Sequence, residues 1–343
     1  MNKILIGLMM CSILFVACKK DDDGMNTSQP GELVANRISP DSAGSGSLLT
    51  LTGSGLGDIR SIVFDKNNAP ATFYSTLNTE NAIIFRVPDT ATRGDQNIVF
   101  TNGEGKQLMV PFRVLPFATV NSAFPTDFEP NTEITLNGNN LDVLSKVVLE
   151  DAEATIVSQS VNQAVIRMPA SVSAVKGALV LTTTAGDKAT PMEFVNVEQA
   201  TLRIFTDSLV NPAQDWSWGG AYAASVDNKV TGSKSLKAAY DPAGAWGGLQ
   251  IGMGSELDIP AGTRYFTFWA RGADADKKVN VTIKGNKNTT SHTSEITVPA
   301  NKWTYFKLET GAFIPNVSSI SVIVFQIHDQ GKTIYYDNIM FIK

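Results

Sequence analysis

The chain has 343 residues, of which 43% are hydrophobic and 18% charged, and its net charge is −5. This length predicts two or three folded domains. The acidic balance argues against a nucleic-acid partner, which would need a basic surface, and no apolar run after residue 18 is long enough to span a bilayer.

The first residues have the composition of a targeting segment. A lysine at position 3 precedes an apolar stretch over residues 4–16, a pattern typical of a signal peptide, so we expect residues 1–17 to be removed. The sequence FVAC at residues 15–18 resembles a bacterial lipobox. That resemblance implies cleavage before Cys18, lipidation of this cysteine and a membrane anchor, with a plain secretory peptide as the alternative.

Residues 18–34 are predicted to be the lipidated cysteine and a flexible tether, because they are polar and contain glycine and proline. The KKDDD run at residues 19–23 resembles the export signal of Bacteroidetes lipoproteins. It implies a position on the outer membrane, facing the cell exterior; a solvated charge run in a tether is the alternative. Since Cys11 leaves with the signal and Cys18 takes the lipid, we expect no disulfide bond.

The next part of the chain repeats itself. The sequence LTLTGSGL at residues 49–56 is followed 85 residues later by ITLNGNNL at residues 134–141. A Val-Pro pair at residues 87–88 and a Met-Pro pair at residues 168–169 are 81 residues apart. Each copy has short alternating strands broken by Gly, Asn and Asp turns and no helical periodicity, which predicts a small antiparallel β-sandwich.

These landmarks, in this order, resemble the immunoglobulin-like IPT/TIG domain in both copies, which we place at residues 35–116 and 117–198. In cell-surface proteins the resemblance implies spacers. The two copies contain no Trp and no His, which fits a spacer better than a ligand-binding domain.

Residues 199–343 have a different composition. All five Trp and six of the seven Tyr lie beyond residue 200, which indicates that this part of the chain binds a ligand with flat apolar faces. Over residues 246–253, Leu249, Ile251 and Met253 alternate with Trp, Gly, Gln and Gly, a strand pattern with one core side. Glycines on the other side indicate close approach of a ligand or another backbone, or else a bend.

The other predicted strands of this region, at residues 265–270, 279–284 and 321–328 with a terminal one at 333–342, also alternate, which fits a jelly-roll sandwich. The segments GSKSLK at 232–237, FTFWARG at 266–272 and TIYYDNI at 333–339 resemble jelly-roll carbohydrate-binding modules of the galactose-binding-like type. The predicted fold is therefore all-β: two tandem immunoglobulin-like sandwiches and a larger jelly-roll β-sandwich.

That resemblance implies glycan binding on aromatic platforms and a possible structural Ca²⁺. Its ligands would be Asp207 and Asp337 with nearby carbonyl oxygens, since Ca²⁺ takes 6–8 oxygen atoms. The alternative is that both aspartates are ordinary turn and edge residues. No other cofactor is required.

We predict that the sugar rings stack on aromatic side chains and that amide and imidazole groups orient them. The predicted carbohydrate-binding residues are Trp216, Trp218, Tyr222, Trp246, Gln250, Gln326 and His328. Burial of the tryptophans under loops is the alternative. Trp269 and Trp303 are assigned to packing because core-type residues flank them.

No catalytic pair of carboxylates, no triad and no zinc-ligand cluster is visible among the aromatic segments, so we do not expect an enzyme. The combination resembles a surface glycan-binding protein of a starch-utilisation-type system. It implies non-catalytic capture of polysaccharide beside an outer-membrane transporter and its partner lipoprotein. A structural or adhesive surface protein is the first alternative, and a glycan-degrading enzyme is the second.

Overall fold

A computed structural model describes residues 32–244, 246–328 and 331–343 of the chain. The predicted signal peptide, Cys18 and most of the predicted tether lie outside the described residues. The chain divides into two compact units, the first ending at Val114 and the second running from Leu115 to Lys343. Among the described residues, no helix is long and apolar enough to cross a membrane.

The first unit is a β-sandwich of two sheets. A three-stranded sheet has the order β1-β3-β6, and a five-stranded sheet has the order β2-β8-β7-β4-β5. Alternate residues of these strands are buried in one hydrophobic cluster that includes Leu49, Leu51, Phe85 and Phe100. The strands are β1 (Val34–Ser39), β2 (Ser42–Gly44), β3 (Leu48–Ser54), β4 (Ile59–Phe64), β5 (Ala69–Pro70), β6 (Ala82–Arg86), β7 (Gly94–Asn102) and β8 (Gln107–Leu115).

The second unit begins with a similar sandwich, here called the second immunoglobulin-like domain. Its sheets have the orders β17-β16-β12-β13-β14-β11-β9 and β10-β18-β15, and its core is a separate hydrophobic cluster. The strands are β9 (Thr119–Phe124), β10 (Asp127–Phe128), β11 (Glu133–Asn139), β12 (Lys146–Leu149), β13 (Ala152–Gln159), β14 (Gln163–Arg167), β15 (Lys176–Gly177), β16 (Leu179–Thr183), β17 (Gly186–Ala189) and β18 (Phe194–Asn196).

The sequence repeat has a structural reason in both copies. A side chain at Gly53 or at Gly138 would overlap the backbone carbonyl group of the neighbouring edge strand, so only glycine fits there. Two residues later, Gly55 and Asn140 have left-handed φ angles of 70° and 55°. Each turns the chain into a 3₁₀ helix whose first residue, Leu56 or Leu141, is buried.

The rest of the second unit, called the third domain, is a larger sandwich. One sheet has the order β21-β22-β29-β24-β27, with β19 also paired to β29, and the other has the order β20-β23-β28-β25-β26. The strands are β19 (Leu202–Phe205), β20 (Ala213–Asp215), β21 (Gly220–Ser225), β22 (Ser235–Tyr240), β23 (Gly248–Asp258), β24 (Tyr265–Gly272), β25 (Lys277–Gly285), β26 (Thr290–Val298), β27 (Thr304–Glu309), β28 (Ser319–Ile327) and β29 (Thr333–Ile342).

The described helical elements are all short. They are 3₁₀ helices at Leu56–Asp58, Asp65–Asn67, Ser75–Leu77, Leu141–Val143 and Val197–Gln199, and a single α-helical turn, α1, at Thr310–Phe313. The all-β prediction is confirmed, and the reason is the two-residue alternation. Phe266, Phe268 and Phe325 point into the space between the two sheets of the third domain, where Phe268 and Phe325 meet edge to face with their ring centroids 5.0 Å apart.

The second immunoglobulin-like domain packs directly on the third domain. Buried Val195 and Val197 of the former contact buried Met340 and Ile342 of the latter. Trp269 lies on the outer face of its sheet, yet it is buried: Phe124 meets its ring edge-on at 5.6 Å between centroids, and Tyr305 of the neighbouring strand packs on it at 5.1 Å. The assignment of Trp269 to packing is therefore confirmed, and the domain junction contributes to its burial.

A carboxyl group is buried at this junction. Asp127 has no exposed surface, and Asn338 Nδ2 donates to its Oδ2 across 3.4 Å. Burial raises the pKa of Asp127 to about 7, because an ionised carboxylate is poorly solvated away from water. We therefore expect the stability of the domain junction to depend on pH in a range where exposed aspartates are fully ionised.

Candidate functional site

The candidate site is built on the outer face of β23. Leu249, Ile251 and Met253 are buried between the sheets, as the alternation predicted. The opposite side of the strand carries Gly248 and Gly252 with Gln250 between them.

Two indole rings lie flat on this glycine-lined strip. An added Cβ at Gly252 would overlap ring atoms of Trp216, and one at Gly248 would overlap ring atoms of Trp218. We expected the glycines to admit a ligand or another backbone, or to mark a bend. Instead, the groups that approach them closely are tryptophans of the same chain, whose outer ring faces form the exposed surface.

The backbone fixes where these two rings lie. The N–H of Trp216 donates to the carbonyl oxygen of Gln250 at 2.8 Å, and the N–H of Trp218 donates to that of Gly248 at 3.0 Å. Residues 213–218 thus extend the sheet beyond β20 as its edge. Since positions 216 and 218 are two apart in an extended chain, both side chains project to the same face.

Trp246 joins the pair from the loop before β23. Its carbonyl oxygen accepts from Trp218 Nε1 at 2.9 Å and from Gln326 Nε2 at 3.2 Å. Its ring stacks on His328, with 4.9 Å between centroids and 29° between planes. Trp216, Trp218 and Trp246 are 45%, 41% and 54% exposed, and we call these three side chains the indole surface.

Neighbouring strands continue the polar part of this face. Gln326 is the cross-strand partner of Gly248 and of Asn280, and Asn280 is in turn the partner of Glu295. Cross-strand partners share a face, so these polar side chains form a row that begins beside Trp218. Sequence reasoning included Gln250, Gln326 and His328 in the predicted site but not Asn280 and Glu295, because only the strand register shows that these two share the face.

Tyr222 lies elsewhere. It is half-buried on the inner side of the edge segment, where its hydroxyl group donates to the carbonyl oxygen of Trp218 at 2.7 Å and its ring meets Tyr240 edge-on at 5.6 Å. Burial raises the pKa of Tyr222 far above the usual phenol value, so the hydroxyl group stays protonated and continues to donate. Its contacts give Tyr222 a position supporting the indole surface from behind.

The two aspartates proposed for Ca²⁺ are engaged differently. Backbone N–H groups of Ser233 and Lys234 donate to Asp207 Oδ1 at 2.7 and 2.8 Å, and the N–H of Val230 donates to Asp337 Oδ2 at 2.7 Å. Burial also raises the pKa of Asp337 to about 8. No group of three His, Cys, Asp or Glu side chains able to hold a metal occurs among the described residues. These contacts fit backbone capping by both aspartates, and Ca²⁺ binding there stays a prediction.

Comparison with known families bears on the repeated domains. Residues 118–194 match the IPT/TIG domain family. The second immunoglobulin-like domain is therefore similar to IPT/TIG domains, as its landmarks predicted. No curated protein matches the chain.

Two of the solved structures that the chain resembles align over most of its length. One is SGBP-B from a complex xyloglucan utilization locus in Bacteroides uniformis, with 15% identity, a TM-score of 0.47 and coverage of 90% of this chain and 99% of that one. Another is the surface glycan-binding protein PbSGBP-B from Prevotella bryantii, with 13% identity, a TM-score of 0.48 and coverage of 90% and 99%. A family 29 carbohydrate-binding module complexed with mannohexaose has 16% identity, a TM-score of 0.32 and coverage of 41% and 92%.

Proposed function

We propose that this chain is a non-catalytic polysaccharide-binding protein of the cell surface and that the indole surface is its binding site. The observation that carries the proposal is the exposure of three tryptophans on one face of the third domain, with two of the rings held flat against the sheet. Rings held in this way present an apolar plane to solvent without side-chain freedom to lose on binding.

Sugars suit this surface chemically. One face of a pyranose ring carries C–H groups that stack on an aromatic plane, while its hydroxyl groups need hydrogen-bond partners at the edges. Stacking of nucleic-acid bases on aromatic rings contributes about 1–3 kcal/mol per ring, and sugars belong at or below that range. Gln250 and Gln326 lie beside the rings and orient the sugar through its hydroxyl groups, while His328 stacks on Trp246 and supports it.

The physiological role we propose is capture. A lipid on Cys18 would anchor the protein to the outer membrane facing the exterior, and the immunoglobulin-like domains would act as spacers. Polysaccharide held at the indole surface would then have a raised effective concentration near an outer-membrane transporter and its partner lipoprotein. The solved structures named above include proteins described as surface glycan-binding, and the role proposed here is of that kind.

The test is affinity electrophoresis of the full chain in gels that contain single polysaccharides. We expect retardation by at least one polysaccharide, weaker retardation in each of Trp216→Ala, Trp218→Ala and Trp246→Ala, and wild-type retardation in Tyr74→Ala. Tyr74 is the matched control because it is an aromatic side chain with 70% exposure in the first unit. Retardation by none of the polysaccharides would favour an adhesive protein, and release of reducing sugar would favour an enzyme.

A further inference from the structure

A cleft of about 370 Å³ opens between the two sheets of the third domain, where their edge strands β20 and β21 face each other. Buried Phe205, Leu236 and Leu249 line its inner part. Exposed Asp215 and Ala224 line its mouth. The cleft thus exposes part of the apolar interior of the sandwich to solvent at one edge.

The composition of β21 explains the cleft. The lining residues that this strand contributes are Tyr222, Ala223 and Ala224, and two of them are too small to reach across to the facing sheet. Protein interiors are packed to the density of organic crystals, so alanine at these positions leaves space that leucine or phenylalanine would fill.

The cleft and the indole surface lie on opposite sides of one edge segment. The cleft touches Leu249 and Ile251 on the inner side of β23, and the indole rings cover Gly248 and Gly252 on its outer side. Residues 213–218 separate the two, and the hydrogen bond from Tyr222 to the Trp218 carbonyl group joins them. A chain that lies on the indoles and crosses this edge would pass the mouth of the cleft.

We propose that the cleft is a second binding site, which takes an aryl substituent of the polysaccharide held on the indole surface. This inference rests on the proposed function. The volume falls within the range of about 300–1,000 Å³ that is usual for small-molecule sites. A cavity of about 150 Å³ lined by Leu, Ile and Phe already holds benzene, so one aromatic ring fits here. The carboxylate of Asp215 at the mouth accepts a hydrogen bond from a hydroxyl group of the substituted sugar.

Matched variants and probes test the cleft separately from the indole surface. Ala224→Phe places a ring in the cleft, Ala224→Leu fills it less, and Ala221→Phe adds the same ring on the same strand at a position that does not line the cleft. The probes are phenyl β-D-glucopyranoside and methyl β-D-glucopyranoside, titrated into the full chain by NMR. Burial of the phenyl ring predicts about tenfold tighter binding of the phenyl glycoside.

We expect that preference in the wild type and in Ala221→Phe, a reduced preference in Ala224→Leu and none in Ala224→Phe. Intermolecular Overhauser effects should connect the phenyl protons with methyl groups of Leu236, Leu249 and Ile251. Equal affinities of both probes for the wild type, an unchanged preference in folded Ala224→Phe, or Overhauser effects confined to tryptophan protons would overturn the inference. Binding of phenyl glycoside in the cleft without retardation by any polysaccharide would refute the proposed function and still support the cleft as a binding site.

Discussion

A methyl group placed beneath Trp216 tests whether the flat position of the ring matters, without changing the ring itself. In Gly252→Ala the new Cβ overlaps three ring atoms of Trp216, whereas ordinary contact needs 3.4–4 Å. Position 252 is paired with Gln214 on one side and Val322 on the other, so the backbone is held. The exposed ring must therefore move outward by about 1 Å or more.

We expect Gly252→Ala to weaken polysaccharide binding more than it lowers the stability of the fold. Loss of one stacking contact, taken at about 1 kcal/mol for a sugar, weakens affinity about fivefold. The free energy of unfolding should change by less than about 1 kcal/mol, because the lower chain entropy of alanine offsets the lost contact of the ring with the strand. Isothermal titration calorimetry with a polysaccharide that retards the wild type measures the first quantity, and urea unfolding measures the second.

Gly311→Ala is the matched control, because an added Cβ there meets nothing within 4 Å. The double variant Gly252→Ala/Trp216→Ala should bind no more weakly than Trp216→Ala, since both changes remove the same contact. Wild-type affinity in Gly252→Ala, with tryptophan fluorescence showing a displaced ring, would refute the argument that the sheet holds Trp216 in its binding position.

Three further predictions concern pH, the support of Trp246 and metal. The folded chain holds the proton of Asp127 up to a pH near 7, while the unfolded chain releases it near 4; stability is therefore lost as pH rises through this window, by roughly 4 kcal/mol. Urea unfolding from pH 4 to 8 should show this part of the loss in the wild type and not in Asp127→Asn. An equal fall of the unfolding free energy with pH in both proteins would contradict the prediction. His328→Ala should weaken polysaccharide binding by less than Trp246→Ala, because it removes only the ring behind the platform; the two dissociation constants decide this. Backbone capping by Asp207 and Asp337 predicts that EDTA leaves the melting temperature unchanged, and a marked drop in calorimetry would support a bound Ca²⁺ instead.

Composition directed the sequence analysis to the candidate site but did not reveal how its parts are arranged. The clustering of tryptophan beyond residue 200 led us to predict Trp216, Trp218 and Trp246. The structure places these three side chains on one face. Tyr222, from the same polar stretch, lies behind that face instead. Because side chains alternate between the two faces along β21, Tyr222 points towards the interior. The sequence did not show where β21 begins and so did not predict this direction.

The sequence alone determined the elements, because two-residue alternation and turn residues are local properties of the chain. It determined the repeat as well, since Gly53 and Gly138 are each required by a backbone carbonyl group that lies against them within their own domain. Tertiary structure decided that Trp216 and Trp218 cover Gly252 and Gly248. It also decided that Trp269 is buried under Phe124 and that Asn280 and Glu295 extend the row from Gln326. These outcomes depend on strand register and domain contact, which join residues far apart in the chain and leave no periodic trace in the sequence.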